Sequence, residues 1–319
     1  MTNRSVLVSL GLAFLLVVGA CGDSSSDDSE AANVDATENG GPESGGAATD
    51  LQDLMLASAT KAAEETTSRF EGTVTTPGPD GQPFELTMSG VSDTAKPRLS
   101  IDMDLGAIAG EGTSGVMKTI LDGEVIYMRF PEAMLAGPGG GGLPGGKPWI
   151  RMDLDAAAEA SGLNLGALLE QSKQADPSSY VALLTGASDD ITEVGTEEVR
   201  GTATRHFKLT IDPAKMLEQA PPELKEAGKS LTATYGGTKI PAEVWIGEDD
   251  SLPRRISYRM DLASIEGAEA AGLGAGTITA SIDIFDYGTP VDITIPPAAE
   301  TTDLADVLGA GAGGGGTTG

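Results

Sequence analysis

The sequence is poor in the residues on which most catalytic and metal sites depend. Among its 319 residues there is one cysteine, Cys21, and one histidine, His206. A single cysteine forms no internal disulfide, and a single histidine builds neither a two-histidine metal site nor a familiar catalytic triad. The sequence therefore predicts a protein that is not an enzyme and that carries no cofactor and no metal ion.

Aromatic and basic residues are also scarce. Phe, Trp and Tyr make up 4% of the chain, and 20 Lys and Arg residues stand against 48 Asp and Glu residues, a formal net charge of −28. A chain this acidic is repelled by nucleic acid and by anionic lipid surfaces. Nucleic acid is therefore excluded as a natural partner, and any attachment to a membrane must depend on something other than charge.

The apolar run near the N-terminus is too short to span a membrane comfortably. It extends from Val6 to Val18, follows the single basic residue Arg4, and leads into Gly19-Ala20-Cys21 and a polar segment. This pattern is typical of a signal peptide, residues 1–20, that is cleaved before a lipidated cysteine. Because two or more acyl chains anchor a protein stably, we expect Cys21 to hold it on the extracytoplasmic face of the cytoplasmic membrane.

Two low-complexity segments flank a central region. Residues 21–48 begin with the lipidated cysteine and continue as a polar stretch without aromatic residues, which predicts a disordered tether. Residues 298–319 end in a Gly-rich sequence and are predicted to be a disordered tail. The central residues, 49–297, are long enough for one domain.

The central region begins with a helical pattern and continues with strand patterns. From Asp50, a reasonable N-cap, apolar and small residues recur at the spacing of an amphipathic helix, namely Leu51, Leu54, Met55, Ser58 and Ala62. After Arg69 the period changes to two. Strict alternation of apolar and polar residues marks strands at 99–105, 206–211, 243–246, 255–262 and 278–284.

Such strands belong to an antiparallel sheet with one covered and one solvated face. Short helical patterns at 163–173, 178–184 and 213–230 supply the cover, and the Gly- and Pro-rich stretch 136–147 is predicted to be a mobile loop. The fold class expected is therefore α+β, with a single sheet and few helices.

Several segments in this order resemble the actinobacterial LppX/LprAFG lipoproteins. They are 126–130, 147–152, 198–207, 242–246, 253–256 and 285–291, with a Pro-containing end at Pro296-Pro297. The resemblance implies a LolA-like fold, a curved antiparallel half-barrel with a few helices on its concave face around an apolar cavity. It also implies binding of lipids or glycolipids and a part in moving them through the cell envelope.

The apolar positions of three strands are the candidate lining of that cavity. They are Leu99, Ile101, Met103, Ile256, Tyr258, Met260, Ile282 and Ile284. Alternation does not say which face of each strand lines a cavity. Methionines at apolar positions are interpreted either as core packing or as a flexible lining, and these are Met103, Met117, Met128, Met152, Met216 and Met260.

The remaining polar features have structural interpretations. We interpret His206 as a solvent-facing structural residue, in preference to a contact with a lipid headgroup or a catalytic base. Asp189-Asp190 and Glu248-Asp249-Asp250 are interpreted as turn residues, because neither has the alternating oxygen donors of a calcium loop.

The function predicted from all this is lipid or glycolipid binding by a monomeric, membrane-anchored envelope lipoprotein. The alternative is an interaction or sensor lipoprotein whose core is filled by its own side chains. A pocket beneath the helices would separate the two.

Overall fold

The computed structural model describes residues 45–78, 82–106, 115–132, 146–154, 156, 188–212, 214–215, 239–264 and 276–307. Cys21, most of the predicted tether, the helices predicted at 163–173 and 178–184, and all but two residues of 213–230 lie outside this part of the chain. So does the Gly-rich stretch, except for Gly146 and Lys147.

Twelve strands form one sheet. They are β1 (Thr67–Pro77), β2 (Pro83–Asp93), β3 (Arg98–Asp104), β4 (Val116–Asp122), β5 (Val125–Arg129), β6 (Trp149–Asp153), β7 (Ser188–Val199), β8 (Thr202–Ile211), β9 (Ile240–Gly247), β10 (Pro253–Asp261), β11 (Thr277–Phe285) and β12 (Thr301–Asp303). Their spatial order is β12-β6-β5-β4-β3-β2-β1-β11-β10-β9-β8-β7. The described sheet is therefore open, with β12 and β7 at its edges.

The sheet consists of two antiparallel meanders that meet at its centre. β1 to β6 form one, β7 to β11 form the other, and β1 pairs antiparallel with β11. Two-residue turns join β4 to β5 and β7 to β8. Arg200 and Gly201, between β7 and β8, both have positive φ, 50° and 82°. Positive φ at both central residues is the geometry of the two-residue hairpin turn that matches strand twist.

The predicted fold class, an antiparallel α+β sheet with few helices, is confirmed. The five alternating segments correspond to β3, β8, β9, β10 and β11. Glu248-Asp249-Asp250 forms the predicted turn. Asp189-Asp190 does not, because both residues lie in β7, where Asp190 has φ of 56° and the pairing with β8 shifts register.

One long helix, α1 (Gly45–Glu64), precedes the sheet. It begins before Asp50, which is therefore not its N-cap, and the predicted tether ends earlier than residue 48. The physical reason is that Ala47 and Ala48 are strong helix formers, so the helix extends beyond the first apolar residue. Met55 of this helix packs on Phe207 and Ile246 of the sheet. Within the described residues, no helix is long and apolar enough to cross a membrane.

The segment after β11 runs from the middle of the sheet to the edge formed by β6. Ile293 packs in a small core with Ile120 of β4 and Trp149 of β6. The chain then forms β12, which pairs parallel with β6. The disordered tail predicted from residue 298 is therefore wrong for residues 298–303, because backbone pairing and the burial of Thr301 and Thr302 hold them in place.

Candidate functional site

Strand register assigns each residue of the sheet to one of two faces. In an antiparallel sheet, directly paired residues point to the same side. One row of such pairs crosses eight strands through Phe207, Val244, Ile256, Ile282, Gly72, Met88, Met103 and Met117. This row is apolar throughout, and we call the side on which it lies the apolar face.

All eight cavity-lining candidates lie on the apolar face. Ile256 pairs with Ile282 and Tyr258 pairs with Ala280, which joins β10 to β11. Seven of the eight belong to one packed cluster that also includes residues of β1 and β2. The exception is Ile256, which lies on the same face but is 40% exposed.

The sequence reasoning missed the residues that connect β11 to β3. Phe70 and Val74 of β1 and Leu86 and Met88 of β2 are buried in the same cluster. Glycines interrupt the apolar alternation of both strands, which weakens the signal that would have revealed them. One of these, Gly90, is covered by the ring of Phe70: a Cβ there would lie 2.2 Å from Cζ of Phe70.

The apolar face has two unlike halves. On the side of β7 to β9, α1 covers it, and Met55 is buried with Ile191, Phe207 and Ile246. We call this the helix-covered half. On the other side, each strand from β2 to β6 contributes one methionine, and we call this the methionine half; its members are Met88, Met103, Met117, Met128 and Met152.

Burial within the methionine half decreases toward the edge. Met88 and Met103 are 8% and 4% exposed, whereas Met117, Met128 and Met152 are half-buried. Of the methionines interpreted from the sequence, Met216 lies outside the described residues. The others all point to the apolar face, and Met88 joins them.

Tyr258 shows how apolar the surroundings of this face are. Burial among aliphatic side chains raises the pKa of its phenol to about 12. The cause is burial beside Ala280 and Ala242, which removes water from around the phenolate.

The opposite face is charged. The row next to the one above runs through His206, Trp245, Arg255, Asp283, Glu71, Ser89, Asp102, Lys118 and Arg129. Arg255 donates to both carboxylate oxygens of Asp283 at 2.5 and 2.7 Å, and this hydrogen bonding raises the pKa of Arg255. Arg200 donates to Glu71 at 2.8 Å.

His206 is buried and does not face solvent as predicted. Its ring stacks on Trp245 with centroids 4.2 Å apart, and its side chain is 6% exposed. Nδ1 lies 3.1 Å from Glu197 and Nε2 lies 2.7 Å from Glu243, so both nitrogens donate at once only when the ring is protonated. The indole of Trp245 covers the imidazole ring, and the alternation of residues along β8 gives no sign of this contact from another strand.

Glu197 ties this cluster to the edge strand β7. Trp245 Nε1 donates to it at 3.1 Å, and this hydrogen bond holds the pKa of Glu197 below its usual value. His206, Trp245, Glu197 and Glu243 therefore pair with one another, and this pairing explains the burial of His206 as a structural feature. Among the described residues, no group of His, Cys, Asp and Glu could hold a metal ion.

Two open grooves, of about 460 and 440 Å³, lie mainly on the charged face and share Thr73 and Ser281. Side chains of both signs and hydroxyl groups line them. Such a lining suits polar ligands, whereas the apolar face offers acyl chains a surface of their own chemistry.

No protein-family model matches the chain. An uncharacterised 31.2 kDa protein of Streptomyces griseus, encoded between rplA and rplJ, is 28% identical over 213 residues, which are 64% of this chain and 66% of that protein. A Streptomyces coelicolor protein, named provisionally as a lipoprotein, is 24% identical over 164 residues, 51% of this chain and 45% of that protein. The matches span less than two thirds of either relative.

Solved structures of lipoproteins are also similar. LppX from Mycobacterium tuberculosis is 15% identical with a TM-score of 0.42, over 77% of this chain and 99% of LppX. LprF from Mycobacterium bovis is 15% identical with a TM-score of 0.43, over 78% of this chain and 98% of LprF.

Proposed function

We propose that this protein is a lipoprotein anchored through Cys21 to the outer face of the cytoplasmic membrane, and that its apolar face binds the acyl chains of a lipid or glycolipid. The observation that carries the proposal is that all eight candidate residues lie on one face of the sheet, seven of them in one apolar cluster. The opposite face is charged and gives the acidic chain its solubility.

The similar chemistry of the bilayer interior and the apolar face suits a lipid carrier. Each methylene that leaves water gains about 0.8 kcal/mol, and it gains nearly the same in a bilayer as on an apolar protein surface. Transfer between membrane and protein is therefore close to neutral in free energy. A protein with such a surface both accepts and releases a lipid, which supports a role in lipid transport across the cell envelope.

The anchor complements this role. Two acyl chains on Cys21 keep the protein at a membrane. The sequence between Cys21 and α1 is mostly polar and adds no second apolar attachment. We propose that it acts there as a monomer, without a catalytic step.

The test is mass spectrometry of the mature chain, residues 21–319, carrying Cys21→Ser so that no anchor is attached. Expressed in an actinobacterial host, it should carry acyl lipid that appears in native spectra and dissociates on denaturation. The lipid mass would name the cargo.

A protein-only mass would argue against the proposal if it persists after incubation with total envelope lipid. That result would favour the alternative, an interaction or sensor lipoprotein whose core is filled by its own side chains. A folded far-ultraviolet circular dichroism spectrum of the same sample is the control.

A further inference from the structure

We propose that the acyl chains bind on the methionine half of the apolar face, formed by β2 to β6, and that this half accepts chains differing in length and unsaturation. The inference rests on the proposed function and narrows it to one part of the sheet. The helix-covered half, in contrast, is assigned to holding α1.

The first observation is where the methionines lie. Met88, Met103 and Met117 are consecutive partners in one register row, and Met128 and Met152 follow on the next two strands. Five adjacent strands thus each place a methionine on the same face. On the apolar face of β8 to β11, the corresponding positions hold mainly Ile, Val, Leu, Phe, Tyr and Ala. Arg205 is a charged exception, and Met260 is the one methionine in these four strands.

The second observation is that methionine is a poor choice for a fixed sheet core. β-branched and aromatic residues suit strands best, because they lose little freedom there and pack against cross-strand neighbours. Methionine is unbranched and flexible, and it fills irregular or changing space. A surface that repacks around varied ligands uses such residues, whereas a surface with one permanent partner does not need them.

The third observation is that, among the described residues, the two halves of the apolar face differ in what covers them. In the helix-covered half, Met55 of α1 is buried against Phe207 and Ile246, so the protein fills this surface itself. In the methionine half, Met117, Met128 and Met152 are half-buried, and so are Leu121 and Ile126 beside them. Large apolar side chains that remain partly accessible on one contiguous surface mark a place where an apolar ligand gains by binding.

The centre of the face limits how far a chain extends. A Cβ at Gly72 would lie 3.0 Å from Ile282 Cγ1 and 3.2 Å from Met88 Cγ, so these two side chains close over the glycine. We therefore place the acyl chains against Met117, Met128 and Met152, with Met88 as the flexible inner boundary.

Methionine oxidation tests the assignment. The mature chain with Cys21→Ser is treated with dilute hydrogen peroxide, alone and after loading with palmitoyl-oleoyl phosphatidylethanolamine. Peptide mass spectrometry then gives the oxidation rate of each methionine. We expect loading to slow oxidation of Met117, Met128 and Met152 at least fivefold, and Met55 to oxidise slowly in both samples.

The outcomes separate this inference from the function on which it depends. If native spectra show bound lipid but these three methionines keep their rates, the acyl chains bind elsewhere, and only the present inference fails. If they resist oxidation before loading, the chain itself covers this half, and the inference also fails. If no lipid binds, both the proposed function and this inference are wrong.

Two neighbouring residues give a matched pair of variants. Met117 points to the apolar face and Val116, 54% exposed, to the charged face. Met117→Glu should weaken lipid binding at least tenfold, and Val116→Glu should leave it unchanged. Equal effects would overturn the assignment.

A volume-conserving variant guards against misfolding of Met117→Glu. Met117→Leu, Met128→Leu and Met152→Leu together keep the apolar volume but remove the flexibility of the side chains. We expect this triple variant to stay folded and to bind a narrower range of acyl lengths than the natural protein. An unchanged range would contradict the role given to methionine.

Discussion

Single residues decide how closely the strands of this sheet pack, and Gly90 is the clearest case. The ring of Phe70, its cross-strand partner on β1, lies where a side chain would project. A Cβ at this position would also come within 2.5 Å of the carbonyl oxygen of Ser100 on β3. The glycine therefore serves the packing of three strands.

Gly90→Val should destabilise the protein by more than about 2 kcal/mol, because an aromatic ring and a backbone oxygen must both move. Urea unfolding measures the change. Ser89→Val is the matched control: the neighbouring position is exposed on the charged face, and valine suits strands. Equal midpoints for the two variants would show that the Phe70 ring moves aside at little cost.

Tyr258 gives a prediction about pH. Because burial raises its pKa to about 12, the native state favours the neutral phenol. Its stabilising contribution is therefore complete below pH 10, the ordinary pKa of tyrosine, and is lost as the pH rises through the folded value. By linkage, the protein should lose about 1.4 kcal/mol between pH 8 and pH 11 relative to Tyr258→Phe.

The measurement is the free energy of unfolding of both proteins at the two pH values. Comparing the same pair at both values cancels any contact of the hydroxyl group that does not depend on ionisation. A difference between the two proteins that stays constant with pH would mean that the phenol ionises as it does in water.

At the scale of elements, unbroken alternation predicted strands well. β10 alternates polar and apolar residues from Arg255 to Asp261, and β11 does so from Thr277 to Ile284. Their cavity candidates all share the apolar face. β1 and β2 were harder to predict, because Gly72 and Gly90 occupy positions on the apolar face but have no apolar side chain to mark the alternation. Which face each strand turns to the core follows from pairing, and pairing joins residues far apart in the sequence.

The charged face was the least predictable part. Burial of His206 depends on Trp245 from β9 and on Glu197 from β7, and no local pattern links those three strands. β12 was missed for a related reason. Three polar residues, Thr301, Thr302 and Asp303, form a strand only because the chain before them delivers them to the edge of β6.

Deletion of residues 298–319 should therefore cost more than deletion of residues 308–319. The longer deletion removes three backbone pairs with β6, the hydrogen bond from Lys147 to the carbonyl of Thr301, and the ion pair between Arg151 and Asp303. At about 1 kcal/mol per net hydrogen bond, we expect a loss of about 2–4 kcal/mol.

The shorter deletion removes only the Gly-rich end and should leave the urea midpoint of the natural chain unchanged. If both deletions unfold at that same midpoint, β12 contributes nothing and the domain ends at residue 297.

At the scale of the whole molecule, the sheet separates two chemistries. One face is aliphatic and rich in methionine. The other pairs charges across neighbouring strands, as in Arg255–Asp283 and Arg98–Asp122, and holds the small core of Ile120, Trp149 and Ile293. The edges are also protected. β7 carries acidic residues and two register irregularities, and β12 is three residues long, features that discourage strand-by-strand association. This is consistent with the expected monomer.

The pairing of the two meanders also determines when the sheet can be completed during synthesis of the chain. β1 is the first strand to be synthesised, yet its partner β11 follows ten others, with Arg69 opposite Phe285. Until β11 emerges, one edge of β1 has no strand beside it, and contacts this distant in sequence form slowly. The pairing of β1 with β11 is thus completed near the end of synthesis, and until then the open edge of β1 exposes the nascent chain to aggregation.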